Sequence, residues 1–280
     1  MLPLLVVSVT IVTSDAYTTL ATAAYDSLPA NRSVTSWDEV EETYGKVYDA
    51  VAATIPEPSS LTEAIAYANN QAFRAVEQWS FLWVQDLGVF DATKEAALVK
   101  QARNQTLRKG WCDFARTAQR HGNRINVVSL NWSPSWIRLV LEEASDCPEV
   151  VPGISIFCPE ILPDGILPRT ELDHDVPLFS GGDKTKLMDK ILGHIPPQRK
   201  QNVLFVSDGD ADLQALLQAP SNIGVVAGFT DSAAETLQKY DAEIWPASEG
   251  WKGHTGNVGG NGTAVYGFED WTDVKSLLWG

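Results

Sequence analysis

The stretch Val203 to Gly228, VLFVSDGDADLQALLQAPSNIGVVAG, constrains this chain most. An apolar run, Val203 to Val206, stops at Ser207-Asp208-Gly209-Asp210-Ala211-Asp212. Leu213, Leu216 and Leu217 then recur at helical spacing, and a second apolar run follows at Ile223 to Val226. Continuous apolar runs on either side of a helix read as strands of a parallel sheet, buried on both faces. Open parallel sheets place ligand sites at the carboxyl ends of their strands, and that is where these acids fall. Asp208 and Asp212 lie four apart. With a helix starting near Asp210 both face one site, where two carboxylates suit Mg²⁺. An equally open alternative makes Asp208 or Asp210 a helix N-cap, with the remaining acids favouring the first turn.

At 280 residues the chain suits one α/β domain carrying an insertion, or two modest domains, and 44% hydrophobic content with ten Trp argues against disorder. Its 36 acidic against 21 basic residues, a net charge of −15, disfavour nucleic acid or an anionic membrane as partner. Cys112, Cys147 and Cys158 are an odd number without paired spacing, which suits reduced, buried thiols and a cytoplasmic location better than a disulfide framework. The apolar run Leu2 to Val12 is too short to span a bilayer. No Lys or Arg precedes it, and its β-branched residues suit a buried strand better than a secretory signal. Secretion, with sequons at Asn31, Asn104, Asn131 and Asn261, is the less favoured reading.

A helical region follows. Ser36-Trp37-Asp38-Glu39 reads as a capping box, and Ser60-Leu61-Thr62-Glu63 repeats it before one long amphipathic stretch, Leu61 to Val84. Its aromatics Phe73, Trp79, Phe81 and Trp83 read as core rather than as a ligand box. A third helix runs from about Thr93 to Leu107. Strands are expected near residues 4–12, 125–130, 153–158, 203–207 and 222–227. The strand Ile125 to Leu130 ends at a hydroxyl, Ser129, with Asn131 two residues on. Ser133, followed by Pro134, reads as the N-cap of the next helix. Ser180-Gly181-Gly182-Asp183-Lys184-Thr185-Lys186 opens another helix, whose spacing lets one of Lys184 and Lys186 point inward. The Gly-rich segment from Glu249 to Thr263 lacks the ending of a phosphate-binding P-loop and reads as a loop.

In this order the stretches LRKGWCDFA, VVSLNWSPSWI and VSDGDADLQALL resemble fungal members of the haloacid dehalogenase-like superfamily, in the branch of phosphoserine phosphatase. The likeness covers nearly the whole chain. It implies a doubly wound, Rossmann-like parallel sheet built from residues 1–29 and 108–280, with an α-helical cap inserted at 30–107. It also implies a Mg²⁺-dependent phosphohydrolase acting on a small phosphorylated metabolite. In that family a first-strand Asp attacks phosphorus to give an aspartyl-phosphate. Ser129 matches the hydroxyl that holds a phosphoryl oxygen, with Asn131 grouped beside it as substrate-binding. Lys184 matches the Lys that offsets charge at the nucleophile, and Asp208 and Asp212 match the acids that hold Mg²⁺. Ser207 stands where the family has Gly.

The family's D-x-D-x-T motif is degenerate here. Matching Thr10 to Asp15 to the residues that follow the two aspartates puts Val6 and Ser8 in their places. The chain is then an inactive phosphatase relative, or its N-terminal stretch is mis-assigned. Matching Asp15 to Leu20, DAYTTL, to the first motif instead resembles the 2-haloacid dehalogenases and makes Asp15 the nucleophile. The first match keeps the longer register; the second leaves the acid pair at Asp208 and Asp212 without a clear purpose.

Overall fold

The computed structural model describes residues 4–7, 11–12, 16–30, 32–168, 176–193, 203–218, 223–228, 231–252 and 263–280. Among them the strands are β1 Leu4–Val7, β2 Arg124–Val128, β3 Ile154–Phe157, β4 Val203–Ser207, β5 Ile223–Ala227, β6 Trp245–Pro246 and β7 Ala264–Phe268. They form one sheet in the order β3-β2-β1-β4-β5-β7-β6, every pair parallel. This is a doubly wound arrangement, with order reversing at β1 and β4. β1 is an inner strand of the sheet: Val6 pairs with Asn126 on one side and Phe205 on the other. Within the apolar N-terminal run, Leu4–Val7 is thus a strand shared as neighbour by β2 and β4.

The helices are α1 Ala16–Ser27, α2 Trp37–Ala52, α3 Leu61–Ala68, α4 Gln71–Asp86, α5 Glu95–Arg103, α6 Trp111–Arg120, α7 Pro134–Glu143, α8 Gly181–Gly193, α9 Leu213–Leu217, α10 Ser232–Lys239 and α11 Trp271–Trp279. Alternate strand residues serve opposite faces, as the pleat requires. Leu204 and Val206 join Trp111, Phe114 and Trp271 of α6 and α11. Val203 and Phe205 join Leu187, Leu216 and Leu237 of α8, α9 and α10. A third core gathers α1, α2, α4, α5 and α7 around Leu20, Phe81, Leu98 and Trp136.

Local signals explain most helix ends. Ser36 and Glu39 make the reciprocal capping box. Ser133 Oγ accepts from the amide of Trp136 at 2.9 Å, with Pro134 in the first turn. Ser60 accepts from the Glu63 amide, but the Glu63 carboxylate goes to Ser59, so the second box is incomplete.

Four expectations need correction. The stretch from Leu61 to Val84 is two helices, because Asn70 caps a new one by accepting from the Ala72 amide at 2.9 Å. The strand expected over 4–12 is described only as Leu4–Val7; Val12 makes an isolated antiparallel bridge with Leu107. β7 was not anticipated: its five buried residues follow directly on the Gly-rich segment and carry no turn signal of their own. Finally, Cys112 and Cys147 form a disulfide across 5.6 Å between Cα atoms, with Cys158 buried and outside the disulfide. Spacing in sequence hid that pair, since packing of α6 on the segment after α7 brings them together. Disulfides persist in oxidising compartments, so the reduced-thiol premise of a cytoplasmic location falls. Among the described residues no helix is long and apolar enough to cross a membrane.

Candidate functional site

The carboxyl ends of β2 and β4 carry the expected polar residues. Beyond β4, Ser207 Oγ donates to Asp212 Oδ2 at 2.7 Å and accepts from the Gly209 amide at 3.3 Å. Lys184 Nζ reaches Asp212 at 2.7 Å to Oδ1 and 2.8 Å to Oδ2. All three residues are buried. The turn that presents them is a 3₁₀ turn, Asp210–Asp212, whose N-cap is Gly209 with no side-chain cap. Neither Asp208 nor Asp210 is therefore a capping residue.

Lys184 is placed by the start of α8. Ser180 Oγ accepts from the Asp183 amide at 3.2 Å, capping the helix. A Cβ on Gly181 would lie 1.9 Å from the Ala211 carbonyl oxygen, so only Gly lets α8 lie against the acidic turn. Lys184 then points inward, whereas Lys186 is exposed and reaches Asp183 at 3.3 Å. Asp183 is itself buried and accepts from Arg74 Nε of α4 at 2.8 Å and from the Phe179 amide at 3.1 Å. Sequence reasoning missed Arg74 and Asp183; the only available signal was an Asp within the Gly-Gly-Asp-Lys run.

At the end of β2 the Ser129 amide donates to the Phe157 carbonyl at 2.9 Å, and Ser129 Oγ accepts from the Asn131 amide at 2.9 Å. Asn131 Oδ1 accepts from the amides of Trp132 and Ser133, at 2.7 and 3.3 Å. Its Nδ2 is buried and meets no hydrogen-bond partner among the described residues. A buried donor without an acceptor carries a desolvation cost of about 1–3 kcal/mol, which a ligand oxygen would relieve. Leu130, between Ser129 and Asn131 in the chain, lines a cavity of about 290 Å³ whose walls also include Phe179, Arg74, Asp210 and Tyr67.

Asp208 lies just past β4. Burial pushes its carboxyl above the ordinary 3.8, with the charge of Asp212 adding to the rise and Lys184 opposing it. Asp208 and Asp212 are the acids expected to hold Mg²⁺. Such an ion wants one or two carboxylates free to face it, completed by water and substrate phosphate. Lys184 lies within ion-pair distance of both oxygens of Asp212 and its charge acts on Asp208, while Asp212 Oδ1 is buried and meets no hydrogen-bond partner among the described residues. Among the described residues no group of three His, Cys, Asp or Glu converges. Asp212 is thus the ion-pair partner of Lys184. Val6 lies within β1, while Ser8 and Asp15 fall outside the described residues.

No protein-family model matches the chain, and no curated protein matches it in sequence. Among solved structures it is similar to cytosolic 5'-nucleotidase IIIB bound to cytidine, at 16% identity over 98% of this chain and 83% of that one, with a TM-score of 0.53. Two weaker likenesses follow. One is a phosphoserine phosphohydrolase-like protein from Francisella tularensis subsp. tularensis SCHU S4, at 12% identity over 99% and 100% of the two chains, TM-score 0.48. The other is phosphoserine phosphatase in apo form, at 12% identity over 81% and 86%, TM-score 0.45. At these identities the likeness speaks for fold, and the first carries it. The fold this chain shares with that nucleotidase is a doubly wound, Rossmann-like α/β sheet.

Proposed function

We propose that this chain is a phosphohydrolase of the haloacid dehalogenase type that takes up a small phosphorylated metabolite at the carboxyl edge of its sheet. The observation that carries the reading is the buried, unpartnered Nδ2 of Asn131, a donor beside Ser129 that awaits an anionic oxygen. Asn131 and Ser129 would bind the phosphoryl oxygens by donation. Lys184, held by Asp212, would keep a positive charge near the reacting group. Residues 30–107 would act as the cap that closes over this edge and excludes water, with Arg74 tying the cap to α8 through Asp183.

Turnover needs a nucleophile, and Asp15 is the proposed one. Its carboxylate would form a bond to phosphorus as the bond to the ester oxygen breaks, that oxygen taking a proton from water, and a second water would then cleave the aspartyl-phosphate at phosphorus to release phosphate and the free carboxylate. No step is assigned to Mg²⁺. One observation favours a second reading, binding without turnover: Val6 occupies β1 and offers no carboxylate.

The test is hydrolysis of an aryl phosphate and a panel of phosphometabolites, with inorganic phosphate binding followed by calorimetry in parallel. Hydrolysis abolished by Asp15→Asn, and phosphate binding abolished by Asn131→Leu, support the hydrolase. Phosphate binding without hydrolysis supports the second reading. Absence of both overturns the site.

A further inference from the structure

A second cavity, of about 430 Å³, opens beside the first, and Glu77 and Leu130 line both. It lies within the size range of small-molecule sites. Three indoles, Trp37, Trp83 and Trp132, and the ring of Tyr44 form much of its wall, and its acids are Glu41 and Glu77. No basic side chain is among its described lining residues.

The rings and acids are held by one another. Trp37 and Trp132 meet edge to face at 6.1 Å. Trp83 stacks on Trp79 at 5.2 Å. Trp37 Nε1 and Thr18 Oγ1 donate to the same oxygen of Glu41, at 2.6 and 3.1 Å. The Tyr44 hydroxyl donates to Glu77 Oε1 at 2.6 Å. Trp83, expected to be core, packs against the third core and also lines this cavity. Burial pushes the Glu77 carboxyl above the usual carboxylate range. A positive charge lodged beside it would favour its ionised form.

Aromatic faces with carboxylates and without cations select one ligand chemistry, an organic cation. The ring quadrupole attracts the charge, the carboxylate neutralises it, and the indoles cover its alkyl surface. The loop after β2 sets where such a ligand sits. Ser129 and Asn131 are the proposed phosphoryl contacts, while Leu130 and Trp132, their immediate neighbours, line this cavity. Adjacent residues are about 3.8 Å apart along the chain, the scale of a short linker between a phosphate and a charged amine. We infer that this cavity holds a cationic, amine-bearing leaving group, so that the substrate is the phosphate monoester of a small organic cation. This rests on the phosphoryl site proposed above.

Calorimetry on the whole chain with choline, with its uncharged carbon isostere dimethylbutanol, and separately with inorganic phosphate distinguishes the two claims. The expected result is binding of choline at least about tenfold tighter than dimethylbutanol. Glu77→Gln, which keeps an acceptor for Tyr44, should weaken choline about tenfold and leave phosphate binding unchanged. Trp83→Leu, at a partly exposed ring, should weaken it too. Equal binding of choline and dimethylbutanol, or no binding of choline, overturns the inference while leaving the phosphoryl site to be judged by phosphate alone. Choline bound by a chain that does not bind phosphate overturns the phosphoryl site, and with it the assignment of the cation as a leaving group.

Discussion

Lys184 Nζ lies 2.7 Å from Oδ1 and 2.8 Å from Oδ2 of Asp212, with the two side chains 3% and 5% exposed. An ion pair this deep is weak evidence of net stabilisation, because desolvation of both charges offsets their attraction. Removing one partner is another matter, since it strands the other in a medium of low dielectric.

Lys184→Met should therefore destabilise the chain by about 3–5 kcal/mol. Adding Asp212→Asn to it should recover a large part of that loss, because no buried charge then remains unpaired. Urea unfolding of the two variants checks this; a loss in the single variant no greater than that of an exposed lysine would refute the pairing.

Gly181 is the second lever on the same contact. A methyl group there would meet the Ala211 carbonyl oxygen at 1.9 Å, whereas at Gly182 the nearest atom would be Asn69 Oδ1 at 3.1 Å. Gly181→Ala should cost about 1–3 kcal/mol as α8 is pushed off the acidic turn. Gly182→Ala should be milder, as a flexible amide yields more easily than backbone. Thermal unfolding of the pair of variants gives the ranking.

Asp208 makes stability depend on pH. Its carboxyl is raised in the folded chain by burial first and Asp212 second, so the folded state holds its proton more tightly than the unfolded state does. That contribution is complete below the unfolded value of 3.8 and is lost as pH rises through the raised folded value. Asp208→Asn should gain stability relative to the parent as pH is taken from acid to neutral. Unfolding curves of parent and variant across that range should diverge in this direction, and parallel curves would remove Asp208 from the account.

The Cys112–Cys147 disulfide closes a loop between residues 35 apart. In the chain-entropy account its loss costs about 3–4 kcal/mol. Reduction should lower the unfolding temperature, and Cys147→Ala should do the same without reductant. Alkylation of the unfolded, unreduced chain, followed by mass spectrometry, should tag Cys158 alone; three tagged cysteines would mean that the pair does not form.

Period and punctuation in the sequence were enough to place the β4–α9–β5 unit, the caps at Ser36 and Ser133, and the polar ends of two strands. Each of these is settled by residues within a few positions of one another: an apolar run is buried wherever it packs, and a serine caps the amides next to it. Asn70 defeated the same reasoning over Leu61 to Val84, because a capping side chain can interrupt an apolar period without disturbing it. The inward choice of Lys184 over Lys186, the pairing of Asp212 with that lysine, the union of Cys112 with Cys147 and the place of Trp83 on a cavity wall were decided only in three dimensions. Each depends on partners that lie far away in the chain: Ala211 against Gly181, α6 against the segment after α7, α2 against α4. Charge and geometry at such contacts follow from how helices pack on the sheet, and no local spacing encodes them.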